Sequence, residues 1–289
     1  MPAGETRRTL ALAAGLTLLP IAAAMFFSGQ GEPFEAWRSL HQWDSSHFGS
    51  IAAEGYRVPA EMTFADAGTL AFFPGYPIVV RGFNRTTGLS TIDSQLVVAQ
   101  VASFGFWIYL LALARRWQLS SRATALVVAV MVAHPAAFYL VAAYSESLFL
   151  FALVGFVYWS ERGRPTGFFL AALHGYLMTS TRAVGLPIVV YPMLRAFANS
   201  EAASLRGRIG LAFHQLPLAV LASSGALTYF AWCQLEHGDR RLPILCQEVG
   251  WKVRVDYFAI FYRHNWNPRP SLWRDYPVDP EFLSRLCVP

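Results

Sequence analysis

Uncharged apolar runs, each closed by a short arginine cluster, constrain this chain more than any other feature. Residues 9–27 carry no charge behind Arg7 and Arg8. At about 1.5 Å per residue such a run crosses a bilayer. Further apolar runs follow at 95–114, 123–141 and 148–159, and again at 168–179, 183–194 and 211–232. Only 14% of the 289 residues are charged, against roughly 25% in a soluble domain. The pattern predicts an all-α polytopic membrane protein, a helical bundle of about seven spans.

The formal charge is +5, and every cation except Lys252 is arginine. A nucleic-acid binder gathers its basic residues on one face. Here they fall in short groups between apolar runs, so nucleic acid is excluded as a partner and a membrane is expected. By the positive-inside rule Arg7 and Arg8 place the N-terminus in the cytoplasm, with the basic loops at 115–122, 161–165 and 195–208 on the same side. Ala22-Ala23-Ala24 also suits the end of a cleaved signal peptide, but the spans that follow favour an uncleaved first helix. Arg182 divides the stretch 168–194. A charge at mid-bilayer costs at least about 2.5 kcal/mol, which favours two short passes with Arg182 at the outer turn over one long helix. Parity then puts Asp44, Glu146, Arg182 and the His237-Gly238-Asp239 turn together on the outer face. Cys233, Cys246 and Cys287 are odd in number and form no C-x-x-C pair, as expected of small apolar fillers rather than a disulfide framework or zinc site.

The loop from 28 to about 94 is long for a compact domain and so expected to be functional. Its interleaved polar and aromatic residues suit short amphipathic helices at a membrane surface. Within it Trp43-Asp44-Ser45-Ser46-His47-Phe48 sets a carboxylate and an imidazole three residues apart, on one face of a helix, between aromatics suited to a lipid–water boundary. Glycosyl transfer from a lipid-phosphate sugar needs such groups at headgroup level. A carboxylate takes the acceptor proton, as Asp44 can, and cationic or hydrogen-bonding groups steady the departing phosphate, as Arg182 and His47 can. Each group has a plainer reading. Asp44 also suits a helix N-cap, His47 a structural histidine, and Glu146 a partner for Arg182. His134 suits the break at Pro135, and Asp239 a turn after Gly238.

Four stretches favour the catalytic reading of Asp44 by resemblance. They are Trp43 to Phe48 with Ile51-Ala52 and Gly55-Tyr56; Phe72-Phe73-Pro74-Gly75-Tyr76-Pro77; Pro135-Ala136-Ala137-Phe138 with Tyr144-Ser145-Glu146-Ser147-Leu148-Phe149; and Gly238-Asp239 with Gln247 and Trp251 downstream. In that order the chain resembles the PIG-V type (GPI mannosyltransferase 2-like) family of the GT-C superfamily. The resemblance implies a GT-C-like bundle over 1–235, with an outer-face peripheral tail at 236–289 that is short relative to the family. It implies inverting transfer of mannose from a polyprenyl- or dolichyl-phosphate donor to a lipid or glycan acceptor, with Asp44 as general base. On this reading Asp44 and His47 are catalytic, while Trp43, Tyr144, Glu146, Arg182 and Asp239 bind substrate. No cofactor is expected, and no metal, since no D-x-D motif is present. The site would face the periplasm or exterior of a bacterial plasma membrane, or the lumen of the endoplasmic reticulum in a eukaryote. The family's Arg-Ser-Asn-Gly stands here as Arg182-Ala183-Val184-Gly185, and His134 replaces an Asn.

Two other classes stay in view: a non-catalytic transporter or lipid-binding protein, and an inactive truncated family member. A transporter predicts binding groups at mid-bilayer and symmetry between halves, and neither is visible. A topology reporter fused after Asp239 is expected on the outer face; a cytoplasmic readout would restore the single helix across 168–194 and take the candidate groups apart.

Overall fold

The computed structural model describes residues 3–200 and 204–252, and in these every regular element is a helix. Three helices are long and apolar enough to cross a membrane: Gly4–Phe27, Thr91–Arg116 and Leu216–His237. Shorter apolar stretches lie at Ser121–Ala133, Glu146–Ser160 and Ala183–Ala198. The protein is an integral membrane protein with a helical fold, as its composition predicts.

In chain order, α1 (Ala3–Phe27) leads into a loop carrying α2 (Pro33–Arg38), α3 (Ser45–Ala53) and α4 (Gly75–Thr87). Then come α5 (Thr91–Arg116), α6 (Ser121–Ala133), α7 (Glu146–Ser160) and α8 (Pro165–Thr181), followed by α9 (Tyr191–Ala198), α10 (Leu205–Phe213), α11 (Leu216–His237) and α12 (Leu242–Trp251). Neighbours pack in series: α1 on α5, α5 on α7, α7 on α8, α8 on α11. Outward faces stay apolar. Leu18, Leu19 and Phe26 of α1 and Leu126 and Val130 of α6 are exposed, as lipid-facing residues are.

Small residues let the central helices close up, the usual device where lipid cannot drive helices together. A Cβ on Gly225 of α11 would lie 2.1 Å from the Tyr176 carbonyl of α8, and one on Gly175 would lie 2.4 Å from Ala222. Thr179 donates from its hydroxyl to the Ala222 carbonyl across the same contact, at 2.6 Å. On the other side of α8, His174 lies against Gly155 of α7 and between the rings of Tyr109 and Phe151.

Charges gather at the two ends of α7. At its C-terminal end the Glu161 carboxylate is 1% exposed. It accepts from Arg116 Nε at 2.7 Å, Trp117 Nε1 at 3.0 Å and the Tyr191 hydroxyl at 2.7 Å, and pairs with Arg195 at 2.7 Å. This knot ties the ends of α5, α7 and α9, and Glu5 of α1 reaches Arg115 beside it. A buried carboxylate is tolerable only when so fully satisfied. At the N-terminal end of α7, Glu146 pairs with Arg182.

The stretch 168–194 is not one helix. The α-helix ends at Thr181, Arg182 is extended, and the chain continues through 3₁₀ turns at Ala183–Gly185 and Pro187–Val190. Pro187 and Pro192 lack the N–H that a continuous helix needs. The run 123–141 also breaks. Its helix stops at Ala133, and His134 Nδ1 accepts from the Ala136 N–H at 3.1 Å at the head of the turn Pro135–Leu140.

The last span sits later than its hydropathy suggested. The chain bends at His214 and Gln215, and α11 runs from Leu216 to His237, where Gly238 stops it with φ +79°. That left-handed conformation is open chiefly to glycine. The tail was expected to be peripheral, yet α12 is docked: Cys246 is fully buried with Cys233, Leu70 and Tyr229, and a Cβ on Gly250 would lie 2.8 Å from Ala67. The rest of the tail lies outside the described residues.

Gly155 tests the central packing. A Cβ there would come within 2.0 Å of His174 Cδ2, so Gly155→Ala is expected to destabilise by about 1–3 kcal/mol through overpacking. In a double-mutant cycle with His174→Ala the two losses should not add. Additive shifts in melting temperature would show that the ring does not set the helix spacing.

Candidate functional site

Two cavities among the described residues bear on function. The larger, of about 480 Å³, lies between α1, α5 and α6 and is walled by residues such as Leu16, Leu19, Trp107 and Phe138, with His134 its one ionisable neighbour. The smaller, of about 240 Å³, brings Asp44, Glu146 and Arg182 together with Tyr144, Phe72 and Trp251. Reactivity needs the second set.

Asp44 stands at the head of α3, and its placement begins with buried contacts behind it. Gln95 of α5, fully buried, donates from its side chain to the Ser45 carbonyl at 2.8 Å, and its own carbonyl accepts from the Tyr76 hydroxyl at 2.8 Å. Gly49 keeps α3 against that amide, since a Cβ there would meet Gln95 Oε1 at 2.9 Å. Phe48 turns its ring edge-on to Phe72, Tyr76 and Tyr144. Just before Asp44 the backbone of Trp43 takes φ +44°. A bulky side chain at positive φ stores strain of order 1–3 kcal/mol, a feature that clusters at functional sites.

The N-cap reading of Asp44 does not hold in the geometry. Its backbone is already helical, and its side chain makes no capping hydrogen bond. Its N–H instead donates to the Tyr144 hydroxyl at 3.1 Å, leaving the carboxylate to the cavity. Burial pushes the Asp44 carboxyl above the usual carboxylate range; His47 and Arg182 pull it down and Glu146 raises it further. Burial, and then the Asp44 charge, push the Tyr144 phenol up as well, so it stays a neutral hydroxyl.

Across the cavity Arg182 donates to Glu146 through one guanidinium nitrogen. Glu146 is the first residue of α7, where the helix dipole favours a negative charge. The loop before α4 closes tightly over this end of α8: a Cβ on Gly75 would lie 2.6 Å from Thr181 Oγ1. That approach seats Phe72 and Phe73 in the cavity wall beside Arg182.

Of the residues given a site role from the sequence, four converge here: Asp44, Tyr144, Glu146 and Arg182. His47 is one helical turn from Asp44 but stacks on Phe72 at 4.9 Å rather than walling the cavity. Trp43 is 68% exposed and meets Phe138 edge-on at 6.1 Å. Asp239 lies outside the cavity, accepting from the Arg241 N–H at 2.8 Å and pairing with its guanidinium. Among the described residues no three His, Cys, Asp or Glu side chains gather as metal donors do. Sequence reasoning assigned no role to Gln247 or Trp251, which α12 brings to the cavity wall. Only their place in the downstream motif singled them out.

Comparison with known proteins adds an independent line. A profile described as Mannosyltransferase (PIG-V) matches residues 26–233. The chain is similar to GPI mannosyltransferase 2 of Drosophila melanogaster, with 25% identity over 207 residues, covering 66% of this chain and 43% of the fly protein. It therefore spans less than half the length of that curated relative. No solved structure matches.

The buried charge of Asp44 carries a stability cost with a definite sign. Its folded pKa is raised, so the fold prefers the protonated acid, and that contribution fades as pH rises through the folded value. Asp44→Asn is expected to raise the melting temperature at neutral pH, with the gain shrinking as pH falls toward the ordinary carboxylate range near about 4. A gain that grew on acidification would mean the carboxylate is stabilised, not strained, where it sits.

Proposed function

The chain belongs to the mannosyltransferase (PIG-V) family, and on that premise we propose that it transfers mannose from a polyprenyl- or dolichyl-phosphate donor to the hydroxyl of a lipid or glycan acceptor. The observation that carries this reading is an uncapped, half-buried Asp44 facing an Arg182–Glu146 pair across one cavity.

The steps follow from the charges. The acceptor O–H gives its proton to Asp44 as its oxygen bonds to the anomeric carbon. The bond from that carbon to the phosphate oxygen breaks on the opposite face, which inverts the configuration, and the lipid phosphate leaves with the electron pair. Arg182 stands where it can meet that growing charge, with guanidinium N–H groups to spare beyond the one held by Glu146. Glu146 holds the guanidinium in place. Burial raises Asp44 toward working pH, where a base is most effective. His47 and Arg182 temper that rise. The Tyr144 hydroxyl fixes the backbone at Asp44, and the exposed Trp43 precedes it in the chain.

Membranes holding the full chain and an isoprenyl phosphomannose donor provide the test. Asp44→Asn is expected to cut mannose transfer by about 10²- to 10⁴-fold, the usual worth of a positioned base. Arg182→Lys should lose much of its rate with Glu146 intact, since an ammonium cannot serve a carboxylate and a phosphate in one fork. The acid limb of the rate should lie above the ordinary carboxylate range. Undiminished transfer by Asp44→Asn would remove this residue from the chemistry.

A further inference from the structure

The α12 helix shows two stripes. Pro243, Cys246 and Gly250, at i, i+3 and i+7, face the protein: the first two are buried, and Gly250 abuts Ala67. Gln247 and Trp251, at i and i+4, form part of the cavity wall. The helix is thus anchored by one stripe and presents the other.

The presented stripe adds an indole and a side-chain amide to a wall that already holds the rings of Phe72, Phe73 and Tyr144 and the hydroxyls of Ser145 and Thr181. Trp251 is 36% exposed and stands nearly perpendicular to Phe72, at 5.4 Å and 80°, and to His47, at 6.1 Å and 71°. Neither its indole N–H nor the Gln247 side-chain amide has a protein partner among the described residues. Asp44, Glu146 and Arg182 supply charge for a reaction, but charge alone does not hold a neutral ring. A pyranose is amphipathic, with C–H groups on its faces and hydroxyls round its rim. It needs an aromatic surface and nearby neutral donors and acceptors.

We infer that α12 is the sugar-binding wall of the site, Trp251 taking a face of a pyranose ring and Gln247 hydrogen-bonding its hydroxyls. The helix lies beyond residues 26–233 of the family match; the sequence resemblance includes Gln247 and Trp251 but gives them no role, and the role argued here comes from their place in the cavity wall. The inference rests on the glycosyl-transfer reading above and adds where the ring lies. The ring belongs either to the donor or to the acceptor, and the two are separable.

The full chain in detergent is titrated with a short isoprenyl phosphomannose, with the same isoprenyl phosphate lacking sugar, and with octyl α-mannoside. In Trp251→Ala the phosphomannose is expected to bind about three- to ten-fold more weakly, while the sugar-free phosphate binds as before. Trp251→Phe should recover most of the loss, and Gln247→Ala should show a smaller loss of the same kind. Trp251→Phe and Gln247→Ala should melt near wild type, because the anchoring stripe is untouched, while Trp251→Ala also loses its ring contacts with Phe72 and His47. A loss confined to octyl mannoside would place the acceptor ring at Trp251 instead. Equal weakening of the sugar-free phosphate, or no change with any probe, would overturn the inference. If the wild-type chain ignores phosphomannose yet binds octyl mannoside through Trp251, the donor assignment fails while the sugar wall stands.

Discussion

The Arg182–Glu146 pair is the constraint on which the rest of the site depends. A guanidinium near the bilayer is costly on its own, and so is a half-buried carboxylate. Each removes the other's cost only if α7 begins and α8 ends at the same level, which the small-residue contacts of Gly155, Gly175 and Gly225 allow. Once that level is set, the loop before α4 closes over Thr181, and Phe72 and Phe73 follow it into the wall. At the far end of α7 the Glu161 knot does the matching work, holding the ends of α5 and α9. The two charged ends pin the helix between them.

Asp44 is held differently. Among the described residues no cation pairs with it directly, and its own helix does not use it as a cap. Buried neutral contacts hold its backbone instead: Gln95 behind Ser45, Tyr144 on its N–H, Phe48 among three rings. The strained Trp43 just before it is held there by these contacts. The result is a carboxylate kept less stable than it would be in water, a common state for a group kept for reaction.

How much of this was legible in the sequence depends on what each signal measures. Run length and the spacing of arginines report transfer free energy, so they gave the membrane class, the break at Arg182 and the gathering of Asp44, Glu146 and Arg182 at one end. They say nothing of bends made by local packing, hence the last span misjudged by five residues at each end, at Leu216 and His237. Only ten residues long, α12 gave no hydropathy signal, and its docking rests on Cys246 and Gly250 finding partners far away in the chain. His47 and Asp239 show the same limit. Spacing put His47 on the face of Asp44, but a stacking contact with Phe72 took its ring; Gly238 made a turn in which Asp239 found Arg241 close by.

The contact between Asp44 and Tyr144 joins positions 100 residues apart. At a synthesis rate of about 5–20 residues per second, the first loop therefore waits some 5–20 seconds before the hydroxyl that secures it has been made. Throughout that interval the acid sits on an unfinished surface, with no opposing guanidinium and no α12 wall. The carboxylate, the hydroxyl on its backbone and the facing guanidinium therefore meet only after residues 44, 144 and 182 have all been made.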